Sequence, residues 1–300
     1  VRRLSGVEAA LLSALLSALM GAALLRAREG DPTLSSSVVS FVRVFMNALW
    51  VAAAWARVPS FRTDARGGLG APVLLWGIFG ALTVTSYFAA LLELGMGLTT
   101  FLQQIAQTAA VVALSSAVAG QVPRRLDLAA LAGALAGFLL LRPQSVPGAG
   151  HATALAVLSG LAAALAYLMV ARVRETRSPF VIMASWCAFA TLAHVGWILV
   201  DPPAWPRSAS TWGWIALGGA LAAGAQYLVT LSYQRAAAPR VTALLYAAPA
   251  LGFAIDALVF GMPFSARQLA GVAVVLACGV GLPLLRSGFA SGRARLRARP

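Results

Sequence analysis

Apolar residues occur in ten long runs separated by short breaks rich in arginine, proline or glycine: 7–25, 35–56, 71–92, 98–119, 126–142, 152–171, 179–200, 212–234, 241–260 and 268–285. A helix crossing a bilayer needs about 20 apolar residues, with a working range of about 17 to 25. The runs fit that range, so the pattern predicts an all-α integral membrane protein with ten transmembrane helices. The first run follows Arg2 and Arg3 as a signal peptide would, but nine more come after it and it reads as the first span. No connection is long enough for a soluble domain. Any site is therefore expected inside the membrane.

Polar side chains within the runs stand out, because placing them in hydrocarbon is costly and they normally face a cavity or a partner. In 35–56, Ser36, Ser40, Arg43, Asn47 and Trp50 recur at alternating intervals of four and three and stack on one face. Arg43 lies about 12 Å below the outer end of its span. Its guanidinium suits a bidentate grip on a carboxylate or phosphate; a structural pair with Glu93 or Asp256 is the competing expectation. Run 98–119 places Gln104 and Gln107 on one face with Thr100, as a cavity wall or as amides joining helices.

The same spacing recurs later, in Gln226, Thr230 and Tyr233, and again in Thr242, Tyr246, Pro249, Phe253 and Asp256. Pro249 lacks a backbone donor, which suits a hinge or a fixed kink. Tyr87, Tyr167 and Tyr246 have amphipathic rings fit for the apolar part of a substrate or for plain packing. The expected substrate-binding set is Arg43, Asn47, Tyr87, Gln104, Gln107, Gln226 and Tyr246. Glu93 and Asp256 are the candidates for proton coupling, or else hydrated acids at helix ends. His194, beside Trp197, is expected at the outer interface rather than in chemistry.

Composition agrees. Of the 300 residues 60% are hydrophobic and 11% charged, where a soluble domain carries about 25% charge. Mean hydropathy is +0.82. The net charge of +14 would suit nucleic acid, but the arginines sit in short clusters between apolar runs and no nucleic-acid partner is expected. With the N-terminus in the cytoplasm, only Arg26, Arg28, Arg142, Arg207 and Arg267 fall outside, and Arg43 lies within a span. All other basic residues face the cytoplasm, which predicts both termini inside. Trp205, Trp212 and Trp214 then form an outer aromatic belt. Basic residues are all arginine, as a GC-rich genome would encode, and the expected location is a bacterial cytoplasmic (inner) membrane. Cys187 and Cys278 each lie in an apolar run, too few for a disulfide framework or a metal site.

The two halves echo one another. "YFAALLELGMGLTTFLQQIAQ" (87–107) and "YLVTLSYQRAAAPRVTALLYAAP" (227–249) both read as helix, tight turn and helix, each followed by one more span. An odd number of five helices per copy requires the second copy to be inverted. The expected organisation is a first repeat at 1–145, a second, inverted repeat at 146–290 and a basic cytoplasmic tail at 291–300.

Across nearly the whole chain the order of motifs resembles the drug/metabolite transporter superfamily, specifically its EamA-type ten-helix members. "PTLSSSVVSFVRVF" (32–45) and "GFLLLRP" (137–143) carry the likeness in the first half. "ALAVLSGLAAALAYLMVARVRE" (154–175), "GAQYLVTLSYQRAAAPRVTALLYAAP" (224–249) and "FGMPFSARQLAGVAVVLACGVG" (260–281) carry it in the second. The chain departs from the family where a Gly-Glu acid is usual late in the fourth and ninth helices, reading "AGQVP" (119–123) and "GMPF" (261–264). Gln107 also stands where a proline is common, while Pro249 is retained. The resemblance implies a secondary transporter, by preference an exporter, of a small metabolite such as an amino acid, working by alternating access. Uptake or exchange of S-adenosylmethionine-like metabolites is the alternative it leaves open. It implies no cofactor, and a monomer and a homodimer are equally compatible with it.

Other classes find less in the residues. An enzyme would need a catalytic constellation, and the two histidines are isolated. A channel or scaffold would carry a filter signature or lack a substrate-sized cavity, and no filter signature is present. Without a single lysine there is no Walker motif to hydrolyse ATP.

Overall fold

The computed structural model describes residues 4–59, 70–119, 125–140, 150–173, 177–260 and 265–281, and every regular element among them is helical. The first half comprises α1 (Gly6–Gly30), α2 (Ser36–Arg57), α3 (Ala71–Ala119) and α4 (Arg125–Leu140). Then come α5 (Gly150–Arg172), α6 (Pro179–Val200), α7 (Ala209–Arg235), α8 (Ala238–Leu245), α9 (Ala247–Phe260) and α10 (Ala266–Val274), which runs into a π-helical stretch, Val275–Gly281. Among the described residues, six segments are long and apolar enough to cross a membrane: Gly6–Gly30, Ser37–Arg57, Ala71–Ala90, Gly150–Arg172, Pro179–Val200 and Ala209–Arg235. The chain is a multi-pass membrane protein.

Serines set the helix starts. Ser5 caps α1 through a reciprocal pair, its Oγ accepting from the Glu8 amide at 3.2 Å while Glu8 accepts from the Ser5 amide at 2.7 Å. Ser35 and Ser178 accept from the amides of Val38 and Val181, and Pro179 follows Ser178 at a position where its missing donor costs nothing.

Two elements do not follow the ten runs one for one. α3 is a 49-residue helical run that covers two of them. A straight helix would place Tyr87 and Thr100 about 20 Å apart. Their hydroxyls are 2.8 Å apart, so the run doubles back between them. Ser159 confirms the reversal: it donates to the Thr83 carbonyl at 2.9 Å and accepts from Gln103 Nε2 at 3.0 Å. The run 241–260, in turn, is split into α8 and α9 at Tyr246. Pro249 has no N–H for the Leu245 carbonyl, so the ladder cannot continue through that point.

The helices interleave. α1 packs on α7 and α9, α2 on α6 and α7, and α3 on α5 and α6, while α4 lies against α10 and the π-helical stretch. Between membrane helices, close packing and interhelical hydrogen bonds replace the hydrophobic driving force. Trp76 Nε1 donates to the Ile182 carbonyl at 2.7 Å, Ser185 to Val73 at 2.7 Å and Ser13 to Ala225 at 2.9 Å. Gly160 faces the Gln103 carbonyl so closely that a side chain there would collide with backbone. Gly133 and Gly137 similarly admit Cys278 and the Gly271 carbonyl, so this small-residue motif serves a contact within the chain. Leu139 and Leu276 are 50% and 40% exposed, while Val274 packs against Gly137.

Candidate functional site

The polar face of α2 is where the sequence places it. Asn47 is fully buried and its Nδ2 donates to the Arg43 carbonyl at 2.8 Å, one turn earlier. Its Oδ1 has no partner. Arg43 Nε is likewise buried and unpartnered, and the guanidinium carbon sits 6.0 Å from the centre of the Phe88 ring. Tyr87 and Tyr167 lie within electrostatic range of it. Among the described residues no carboxylate pairs with Arg43. The side chains of Glu93 and Asp256, its expected rivals for a structural pair, lie outside the described residues, as do those of Pro249 and Phe253.

Aromatic rings extend the cluster from α2 and α3 into α5 and α7. Tyr167 stacks on Tyr233 with ring centres 4.5 Å apart and planes within 6°, and Trp76 leans on Tyr167 at 5.6 Å. Tyr233 is wholly buried, and its hydroxyl pairs with that of Thr242 at 2.9 Å. Arg43 thus has Tyr87 on one side and, on the other, Tyr167 with Tyr233 stacked on it. Tyr246 bonds to Thr108 and reaches the Gln104 carbonyl at 3.3 Å. Gln104 Oε1 and Gln226 Nε2 are both buried without partners. Gln226 joins none of the bonds that link the others.

Four residues escaped the sequence reading or were misjudged by it. Phe88 is apolar and gave no signal. Thr108 lies four residues beyond Gln104 on the same stripe and could have been found by extending it. Ser40 was placed on the correct face but without a partner. His194 requires a correction: it is completely buried, not interfacial. Its Nδ1 lies 2.8 Å from the Ala190 carbonyl, and its Nε2 bonds to Ser40. A carbonyl only accepts, so Nδ1 carries a proton. The wrong expectation came from counting depth along one helix, without knowing that α2 would cover that face.

Buried amide atoms and a guanidinium nitrogen without partners, within a bundle of membrane helices, suit the binding of a small polar solute. Residues 151–282 match the family model described as EamA-like transporter family. This stretch is an EamA transporter unit. The match covers the second half, while likeness of fold extends over nearly all of the chain. A solved structure, described only as the crystal structure of a protein, superposes with a TM-score of 0.77 at 20% identity, over 93% of this chain and 96% of that one. In all, 29 chains of solved structures match. No curated protein matches. The match implies a membrane transporter of small solutes.

Proposed function

We propose that the chain is a secondary transporter that binds a small zwitterionic metabolite, such as an amino acid, between two inverted five-helix repeats and releases it by alternating access. One observation carries the substrate class. Within the expected binding set, the buried atoms left without partners are two donors, Arg43 Nε and Gln226 Nε2, and two acceptors, Asn47 Oδ1 and Gln104 Oε1; the hydroxyls of Thr85, Ser115 and Thr211, outside that set, are unpartnered as well. A buried polar group without a partner costs about 1–3 kcal/mol, so the set suits a ligand that accepts at one end and donates at the other. A carboxylate against Arg43 and an ammonium against the amide oxygens meet that requirement.

The helix contacts support the repeat. Counting the two arms of α3 as the third and fourth spans and α8–α9 as the ninth, exchanging each span with its counterpart five places on reproduces the pairing. α1 on α7 becomes α5 on α3, and α2 on α7 becomes α6 on α3. The contacts of α2 with α6, and of α4 with α10, map onto themselves. Both turns that the exchange relates are pinned by a tyrosine and a threonine hydroxyl, Tyr87–Thr100 and Tyr233–Thr242. Such an arrangement can rock about a central site and open it to either side. The ten-span count, with both termini in the cytoplasm, belongs to this reading.

Flux into proteoliposomes across a panel of amino acids and related metabolites, with and without a proton gradient, tests it. Saturable uptake and counterflow of at least one amino acid are expected. A correctly folded, reconstituted chain that moves none of them, or passes them without saturation as a channel would, overturns the proposal.

A further inference from the structure

Ser40 and His194 form a buried titratable pair outside the binding set. It ties α2 to α6, the two helices that exchange places with each other in the repeat. With Nδ1–H committed to Ala190, Nε2 accepts from the Ser40 hydroxyl in the neutral ring. Arg43 follows Ser40 by three residues on the same face of α2 and lies within electrostatic range of His194. The described titratable and charged side chains on the helices packed against α6 are Arg43 and Arg57 on α2, Tyr87 on α3, and Tyr227, Tyr233 and Arg235 on α7. Of these, Arg43 is the one that interacts with the imidazole.

We propose that His194 is a proton-binding site whose occupancy is controlled by the charge at Arg43, so that a carboxylate bound there draws a proton into the membrane with it. The inference rests on the reading of Arg43 as the carboxylate clamp. A proton from water adds to the Nε2 lone pair, and the Ser40 hydroxyl turns from donor to acceptor, so the bond between the helices survives. With the clamp empty, the imidazolium would face an uncompensated guanidinium in a medium that screens charge poorly. With a carboxylate on the clamp, the guanidinium is neutralised and the proton is accepted. Proton and substrate then move together, and an inward proton gradient drives uptake rather than export.

The chain has only two histidines, so ¹⁵N-histidine spectra in lipid nanodiscs are simple to read, and His151→Gln leaves the signal of His194 alone. In that background His194 is expected to pass from the neutral ring to the imidazolium as the pH is lowered. Arg43→Gln is expected to raise its proton affinity about tenfold or more, and Arg43→Lys, which keeps the charge, to leave it close to the starting value. Asn47→Asp places a carboxylate one turn from Arg43 without removing it and is expected to act in the same direction as Arg43→Gln. It decides the matter if Arg43→Gln does not fold. A His194 that does not titrate, an affinity unmoved by either neutralising change, or a shift as large with lysine as with glutamine would each overturn the proposal. No substrate is present in this measurement. A chain that titrates as expected yet moves no amino acid fails only as a transporter, and one that transports with an inert His194 fails only here.

Discussion

Tyr167 and Tyr233 lie face to face, 4.5 Å apart, and this stack joins α5 to α7 beside Arg43. The pair separates two roles of one side chain. Tyr233→Phe keeps the stack but leaves the Thr242 hydroxyl without its partner, which should cost about 1–3 kcal/mol. Tyr233→Ala empties a wholly buried site and should cost about 3–5 kcal/mol. Thermal unfolding in detergent micelles ranks the two. Equal losses would mean that the hydroxyl contributes nothing.

Arg43 is tested by keeping its charge and changing its shape. Arg43→Lys loses the planar fork, so substrate affinity should fall roughly ten- to hundredfold while folded protein is recovered in normal amounts. A purely structural arginine predicts the reverse: lysine tolerated, and alanine lowering folded protein rather than affinity. Expression level and substrate affinity, measured on both variants, separate the cases. Normal transport by Arg43→Ala would refute both.

Gly160 tests the helix packing that holds the site. An added methyl would meet the Gln103 carbonyl, which cannot move aside as a flexible side chain could. Gly160→Ala should destabilise by about 1–3 kcal/mol. Gly196 has nothing within 4 Å of the corresponding position, and Gly196→Ala should be neutral or gain up to about 1 kcal/mol. A lower melting temperature for the first variant alone is the expected result.

Topology is read by single cysteines introduced in a background without Cys187 and Cys278. Positions in 57–70, 121–125, 172–178 and 235–240 should react with an impermeant thiol reagent only from the cytoplasmic side. Outward labelling of any two of these segments would rule out the inverted repeat.

Much of this arrangement was legible in the sequence, for physical reasons that differ from residue to residue. The four-and-three spacing of Ser40, Arg43 and Asn47 fixes them on one helical face whatever the tertiary structure. The break at Tyr246 follows from the missing donor of Pro249. The reversal within α3 was visible as two apolar runs where the helical backbone shows one element. Contacts between helices were not legible, because lipid and protein interior reward the same apolar residues. Nothing in the sequence distinguished Phe88, which faces a guanidinium, from a phenylalanine facing lipid. The same blindness put His194 at the interface. The side chains of Glu93 and Asp256 lie outside the described residues, and their expected part in proton coupling stands as a proposal beside that of His194.

The longest single helix sets a demand on the membrane. α7, at 27 residues, is about 40 Å long, and a hydrocarbon core of about 30 Å is thinner than that. The helix must tilt, or carry its ends beyond the acyl chains. Any rocking of one half against the other changes that tilt, and the surrounding lipid must follow it. Acyl-chain length thereby becomes a mechanical load on the transport cycle.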